Sequence, residues 1–271
     1  MNKYLATDLD GTLLYPKVKE NYICKENFDI INKYFKNNTI IVSGRNSKFV
    51  SAICDELGIN QTFIACNGAS IYLNGKQIYT SYLDNKVLQE IIEYVKNTYK
   101  EYCFVFFDNF DNLYSLSESI KRIEEIQNHA FKTYPKLAYD TIKDSKIINN
   151  LLNKENTFIK VNIALNDKDK EKLYNYLIRK KYCLSYSLCN SSIEITSLNT
   201  TKGNSLKRLT KIMNIEDKDV MVIGDDKNDL SMFKEYENSF LVSNKDNLDI
   251  HNIPKYVINK FSDIINHLKE D

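Results

Sequence analysis

The chain has 271 residues, 43% of them hydrophobic and 12% aromatic, which excludes a disordered polymer and leaves room for two domains or one large one. Its 37 basic and 36 acidic residues nearly cancel and form no Lys/Arg block, so nucleic acid is not an expected partner. The opening MNKYLATDLD reaches an acid by its eighth residue, and no apolar run approaches the roughly 18 residues of a membrane span, so a cytoplasmic protein with no membrane partner is expected.

In chain order, KYLATD reads as a short buried strand, followed by a helix in KENFDIINKYFKN with Phe28, Ile31, Tyr34 and Phe35 at helical spacing. NTIIVSG is a second strand. NSKFVSAICDELGI is a second helix with Gly58 as its C-cap, and QTFIACNG is a third strand. Each strand turns polar at its carboxyl end, as buried parallel strands with ligands at that edge do.

The pattern then changes to an amphipathic helix in NKVLQEIIEYVKNTY, paired strands YCFVFFD and NLYSLSE, a helical middle, the strand FIKVNIAL, the helix DKEKLYNYLIRKK, and the strands YCLSYSLC and SIEIT. The wound pattern resumes with NTTKGNSLKRLTKIMNI, a helix with Leu206, Leu209 and Met213 on its buried side, and with DVMVIGDDKNDLSMF. The expected fold is therefore α/β: a wound parallel sheet from residues 1–82 and 198–271, with an α+β domain inserted at 83–197.

Several chemistries are excluded. The seven glycines are never closer than seven residues apart, so G-x-G-x-x-G, G-x-S-x-G and the Walker loop cannot occur. The six cysteines form no C-x-x-C pair and read as reduced thiols, and none has Arg six positions later, as a cysteine-phosphatase loop requires. His129, His251 and His267 have no partner cluster and are assigned surface or packing roles.

The strand ends would gather Asp8, Asp10, Ser43, Gly44, Asn67, Gly68, Asp225, Asp226, Asn228 and Asp229, with Lys202 at a helix start. Carboxylates so crowded raise one another's pKa values, and a hard divalent cation is their natural neutraliser. Oxygen donors without His or Cys favour Mg2+.

These residues resemble the haloacid-dehalogenase superfamily of phosphohydrolases, and within it the Cof-type branch with a type IIB αβ cap. The motifs stand in order as DLDGT, IIVSGR, CNGAS, TKG and GDDKND. The resemblance implies a Rossmannoid core with an inserted cap, Asp8 as the nucleophile that takes the phosphoryl group, and Asp10 as acid and then base. It further implies Mg2+ held by the Asp8 carboxylate, the Asp10 carbonyl and Asp225, with Asp229 as ligand or support. Phosphoryl oxygens would be met by Ser43, the Gly44 and Leu9 amides, Lys202 and Asn228. Arg45 reads as a substrate contact or a surface ion pair, Asn67 as a substrate contact or a turn-former, and Asp226 is given no role.

The implied activity is a Mg2+-dependent phosphatase of small phosphorylated metabolites, such as sugar phosphates or phosphorylated cofactors, working as a monomer or weak homo-oligomer. A phosphohexomutase is the alternative, and a non-enzymatic phospholigand sensor the third reading. After the fourth motif the chain departs from the Cof pattern: LSMFKEYENSFLVSNKDNLDIHNI carries neither the Ala-Met-x-Asn-Ala run nor the later Gly-Val-Ala.

Overall fold

Apolar runs of four or five residues, too short for buried helices, form the centre of a parallel sheet. The computed structural model describes residues 3–15, 23–117, 141–142, 145–182, 184–188, 192–198 and 200–268. Pro16, His129, Pro135, Cys183, Cys189 and much of the expected helical middle lie outside the described residues. The chain divides into two units, Met1–Tyr79 with Thr201–Asp271, and Thr80–Thr200.

In the first unit the strands are β1 (Tyr4–Thr7), β2 (Thr39–Val42), β3 (Phe63–Ala65), β4 (Ser70–Leu73), β5 (Lys76–Thr80), β12 (Val220–Gly224), β13 (Asn238–Val242) and β14 (Tyr256–Ile258). They form one sheet in the order β14-β13-β12-β1-β2-β3-β4-β5. Pairing is parallel from β14 to β3 and antiparallel between β3 and β4. The wound parallel core is as expected.

Strand alternation puts Ala6, Ile40, Val42, Val220 and Val222 on one face. There they join Leu206 and Leu209 of helix α6 (Lys202–Ile212) and Met232 and Phe233 of α7 (Leu230–Glu235), with Met213 partly buried beside them. Helix α2 (Ser47–Leu57) starts where the Asn46 side chain accepts from the Phe49 amide at 3.2 Å, and ends at left-handed Gly58.

The structure corrects the first helix. Helix α1 (Lys25–Ile30) widens into a π turn over Ile31–Phe35, so Ile30, Ile31 and Phe35 face inward while Phe28 and Tyr34 are exposed. The i→i+5 bonding of a π turn shifts the buried face away from the regular helical spacing. Strands β4, β5, β13 and β14 add to the expected set. The β4–β5 turn carries Asn74 at φ 51° and Gly75 at φ 78°, the positive-φ pair that hairpin turns favour.

The second unit is a six-stranded sheet in the order β10-β11-β9-β6-β7-β8. Its strands are β6 (Cys103–Asp108), β7 (Leu113–Ser117), β8 (Thr141–Ile142), β9 (Phe158–Ala164), β10 (Leu184–Leu188) and β11 (Ile193–Ser197). All pairs are antiparallel except β7 with β8. Phe104, Phe106, Val161, Ile163 and Ile195 pack with Leu88, Ile91 and Val95 of α3 (Asn85–Thr98), Ile148 of α4 (Ser145–Leu152), and Leu173 and Leu177 of α5 (Asp167–Lys180). Among the described residues no helix is long and apolar enough to cross a membrane.

Candidate active site

Parallel strands deliver their following residues to one edge of the sheet, and here those residues are acids, amides and a hydroxyl. Asp8 follows β1, and its amide makes a ladder-type bond to Ile223 O at 2.9 Å. Ser43 follows β2, Asn67 sits in the single turn after β3, and Asp225 follows β12. Lys202 opens α6, whose N-cap Thr201 accepts from the Asn204 amide at 3.2 Å.

Lys202, 1% exposed, organises the centre. Its ammonium donates to Asp8 Oδ1 at 2.7 Å, Asp229 Oδ1 at 2.7 Å and Asn228 Oδ1 at 3.2 Å, a full set for three N–H donors. Burial works against that charge, but the Asp229 and Asp8 carboxylates outweigh it and hold the ammonium above the usual lysine range. The other Asp229 oxygen accepts from the amides of Asp225 and Asp226 at 3.0 and 3.1 Å, so this fully buried acid ties the GDDKND turn to the lysine. Gly224 is needed there, since a Cβ would overlap the Asp229 carboxylate.

Asp225 stands beside them. Thr12 Oγ1 donates to its Oδ1 at 3.0 Å, and Asn244 Nδ2 to its Oδ2 at 3.3 Å. Gly11, at φ +84°, lets the DLDGT loop pass this carboxylate, because a Cβ would overlap Asp225 Oδ2. Carboxylate oxygens of Asp8, Asp225 and Asp229 lie within 4.8 Å of one another. Burial, then the Asp8 and Asp229 charges, push the Asp225 carboxyl up to about 9. Burial pushes Asp8 up to about 7 against the pull of Lys202, with Asp229 adding to the rise.

Such a cluster fits a hard divalent cation. Asp229 is committed to Lys202 and two amides, whereas each Asp225 oxygen has one hydrogen-bond donor and a second lone pair, and Asp8 Oδ2 lies opposite the oxygen that Lys202 holds. Asp8 and Asp225 are thus the carboxylates suited to ligation, and one or two carboxylates are the usual protein share around Mg2+.

Asp10 is not one of these three acids, although its charge adds to the rise at Asp8. Arg45 grips Asp10 with Nε on Oδ2 and Nη2 on Oδ1, both at 2.8 Å, in a half-exposed bidentate pair. Ser43 Oγ accepts from the Arg45 amide at 3.2 Å, while Gly44 continues the same turn. Leu9 is fully buried, and its carbonyl accepts from Thr12 N at 3.2 Å and Leu14 N at 2.8 Å. Asn67, at φ 56°, combines the turn with a side-chain contact, accepting from Asn228 Nδ2 at 3.3 Å. Asp226 caps the Lys227–Asp229 turn, accepting from the Lys227 amide at 2.7 Å. Thr12, Asn244 and Asn247 were not singled out in the sequence. The signal for the two asparagines is that SNKDN also ends a buried strand.

A wound parallel sheet with paired acids after its first strand and a further acid cluster after β12 defines a class of hydrolase. The chain belongs to the haloacid dehalogenase-like hydrolase family, whose model matches residues 5–263. It is 28% identical over 249 residues to the 5-amino-6-(5-phospho-D-ribitylamino)uracil phosphatase YwtE of Bacillus subtilis, covering 86% of this chain and 84% of that protein. It is also 28% identical over 272 residues to a protein of Mycoplasma capricolum, covering 97% and 99% of the two chains. Its fold is similar to that of the subclass IIB sugar phosphatase BT4131, with a TM-score of 0.78, 18% identity and 98% of each chain covered.

Proposed function

We propose that the chain is a Mg2+-dependent phosphatase of small phosphorylated metabolites, with Asp8 as nucleophile. The observation that carries this reading is the Asp8 carboxylate itself. One oxygen is fixed by Lys202, and Asp225 stands within the same oxygen cluster. An anionic nucleophile must approach an anionic phosphoryl group, and a buried ammonium with a bound cation lowers the cost of that approach. Bound Mg2+ would be held by Asp8 and Asp225, with the Asp10 carbonyl as the further ligand the family pattern implies, and would supply charge neutralisation at the phosphoryl oxygens.

One Asp8 carboxylate oxygen forms a bond to phosphorus as the ester P–O bond breaks, and the departing oxygen takes a proton from Asp10. Water then loses a proton to Asp10 as it attacks the aspartyl-phosphate, releasing inorganic phosphate and restoring Asp8. Both Asp10 oxygens accept one bond from Arg45, and because each carboxylate oxygen has two lone pairs, proton transfer does not by itself require that pair to open. Ser43, the Gly44 and Leu9 amides, Asn228, Asn67 and Arg45 are assigned to the phosphoryl and substrate oxygens. The second unit is assigned the role of cap.

The Bacillus relative is named for a phosphorylated ribitylamino compound and the structural neighbour for sugar phosphates, so hydroxyl-rich phosphate monoesters are the substrates to test first. The assay is phosphate release from a panel of such esters with Mg2+ and with a chelator. Release that stops in chelator, returns with Mg2+ and disappears in Asp8→Asn supports the proposal. Full release in chelator, with no metal bound on elemental analysis, overturns the metal requirement.

A further inference from the structure

We infer that Asn247 and Asn244, in the loop after β13, are positioning residues for Asp225, orienting its carboxylate toward the cation. The inference rests on the Mg2+ site proposed above and extends it to a segment where the chain departs from the Cof pattern. Strands β12 and β13 run parallel with Gly224 beside Leu241, so the residues after each strand emerge as neighbours. At that point the backbone ladder ends and side chains continue it.

Asn247 is 2% exposed. Its Nδ2 donates to Asp225 O at 2.7 Å and to Val242 O at 2.9 Å, bridging the two strand ends. Its Oδ1 accepts from the Asn244 amide at 3.0 Å, with His251 Nε2 at 3.3 Å. That bond holds Asn244, whose Nδ2 reaches Asp225 Oδ2 at 3.3 Å while its Oδ1 accepts from the Asp246 amide at 2.8 Å.

Asp225 is therefore held at four points: its amide by Asp229, its carbonyl by Asn247, and its two carboxylate oxygens by Thr12 and Asn244. The amide side chains are chemically specific. A carboxylate in place of Asn247 would face two carbonyl oxygens and add a further acid to a cluster that already has three for one ammonium. A carboxylate oriented before the ion arrives loses less freedom on binding, which is how groups behind a ligand raise metal affinity.

The experiment titrates the purified full-length chain with MgCl2 by calorimetry, without substrate, for wild type, Asn244→Ala, Asn247→Ala, Asp225→Asn and Lys245→Ala. Far-UV circular dichroism checks each fold. Lys245 is an exposed neighbour in the same loop and serves as the control. Asn244→Ala and Asn247→Ala should each weaken Mg2+ binding about 10-fold or more, Asp225→Asn should abolish it, and Lys245→Ala should leave it unchanged. At saturating Mg2+, kcat of Asn244→Ala should return to within about twofold of wild type, the KM-like split expected of a residue that orients a ligand.

If Asn247→Ala fails to fold, the half-exposed Asn244 decides the matter. Wild-type affinity in folded Asn244→Ala, alongside lost binding in Asp225→Asn, overturns the inference and leaves the metal site standing. Wild-type affinity in Asp225→Asn overturns both.

Discussion

Each unit buries a lysine against acid, yet the two sites have different charge balances. In the first unit Lys202 meets Asp8 and Asp229, with Asp225 in the same oxygen cluster, so three carboxylates share one ammonium. In the second, Lys160, 2% exposed, meets Glu194 at 2.6 Å. Asn162 Nδ2 donates to the same Glu194 oxygen at 3.1 Å, and the Phe107 ring centre lies 5.0 Å from the ammonium. That ion pair joins one ammonium to one carboxylate.

A pair of one cation and one anion is neutral as it stands and needs no further ion, whatever the balance between its desolvation cost and Coulomb gain. A cluster with surplus acid needs protons or a cation to supply the missing charge. Surplus charge, rather than burial or ion pairing as such, separates a place built for chemistry from one built for packing.

The largest effect is expected at the surplus itself. Asp8→Asn should reduce phosphate release below detection in a folded protein, because an amide cannot accept the phosphoryl group; near-normal release removes Asp8 as nucleophile. Asp10→Asn should lose about 10²- to 10⁴-fold in kcat, more on an alkyl phosphate than on an activated aryl phosphate. Equal losses on the two substrates would place the leaving-group acid elsewhere.

The two lysines should then fail differently. Lys202→Met should abolish turnover. Lys160→Met should cost stability, about 1.5–3 kcal/mol in urea unfolding, because the partly exposed Glu194 carboxylate loses its charged hydrogen-bond donor. Adding Glu194→Gln should recover most of that loss. A Lys160→Met protein as stable as wild type would break the comparison.

The surplus should also appear as a pH dependence of stability. In metal-free protein Asp8 and Asp225 have folded pKa values raised from 3.8 to about 7 and about 9. The folded state then binds more protons than the unfolded chain above pH 3.8, so this contribution is fully present below that value and is lost as pH rises through about 7 and about 9. The melting temperature should therefore fall across that window in chelator, and the slope should flatten in Mg2+. The same slope with and without Mg2+ would argue against a cation at these acids.

The smallest effect is expected from Thr12→Val, which removes the 3.0 Å bond to Asp225 Oδ1 while keeping the shape of the side chain. It should raise the Mg2+ concentration for half-maximal activity about 5- to 10-fold, at the low end for a group that orients a metal ligand. An unchanged Mg2+ requirement would show that Thr12 serves packing alone.

Much of the molecule was legible in the chain. The centre of the parallel sheet, α2 with its Gly58 cap, α3, α5 and α6 follow from local runs and periodicity, because burial on both faces demands unbroken aliphatic strands and burial on one face demands a helical stripe. The β4–β5 hairpin was not among the expected elements, although Asn74–Gly75 carries the turn signal that could have found it. The exposure of Phe28 and Tyr34 was not legible, because a π turn over Ile31–Phe35 moves the buried face without changing the composition of the segment.

At the site, the sequence by itself determined which chemical groups would be present: the acids of DLDGT and GDDKND, the hydroxyl of IIVSGR and the lysine of TKG. Strand ends of a parallel sheet must meet at one edge, so these groups could be placed together without coordinates. Only the tertiary structure decided how they pair. Lys202 lies 194 residues from Asp8, Thr12 lies 213 from Asp225, and Arg45 lies 35 from Asp10, so none of these partners is fixed by local spacing. The hold of Asn244 and Asn247 on Asp225 depends on β13 lying beside β12, a neighbour relation set by how the two strands bury their side chains under the same helices. Composition names the charges, but hydrogen bonds are short and directional, and only packing brings one donor rather than another within reach.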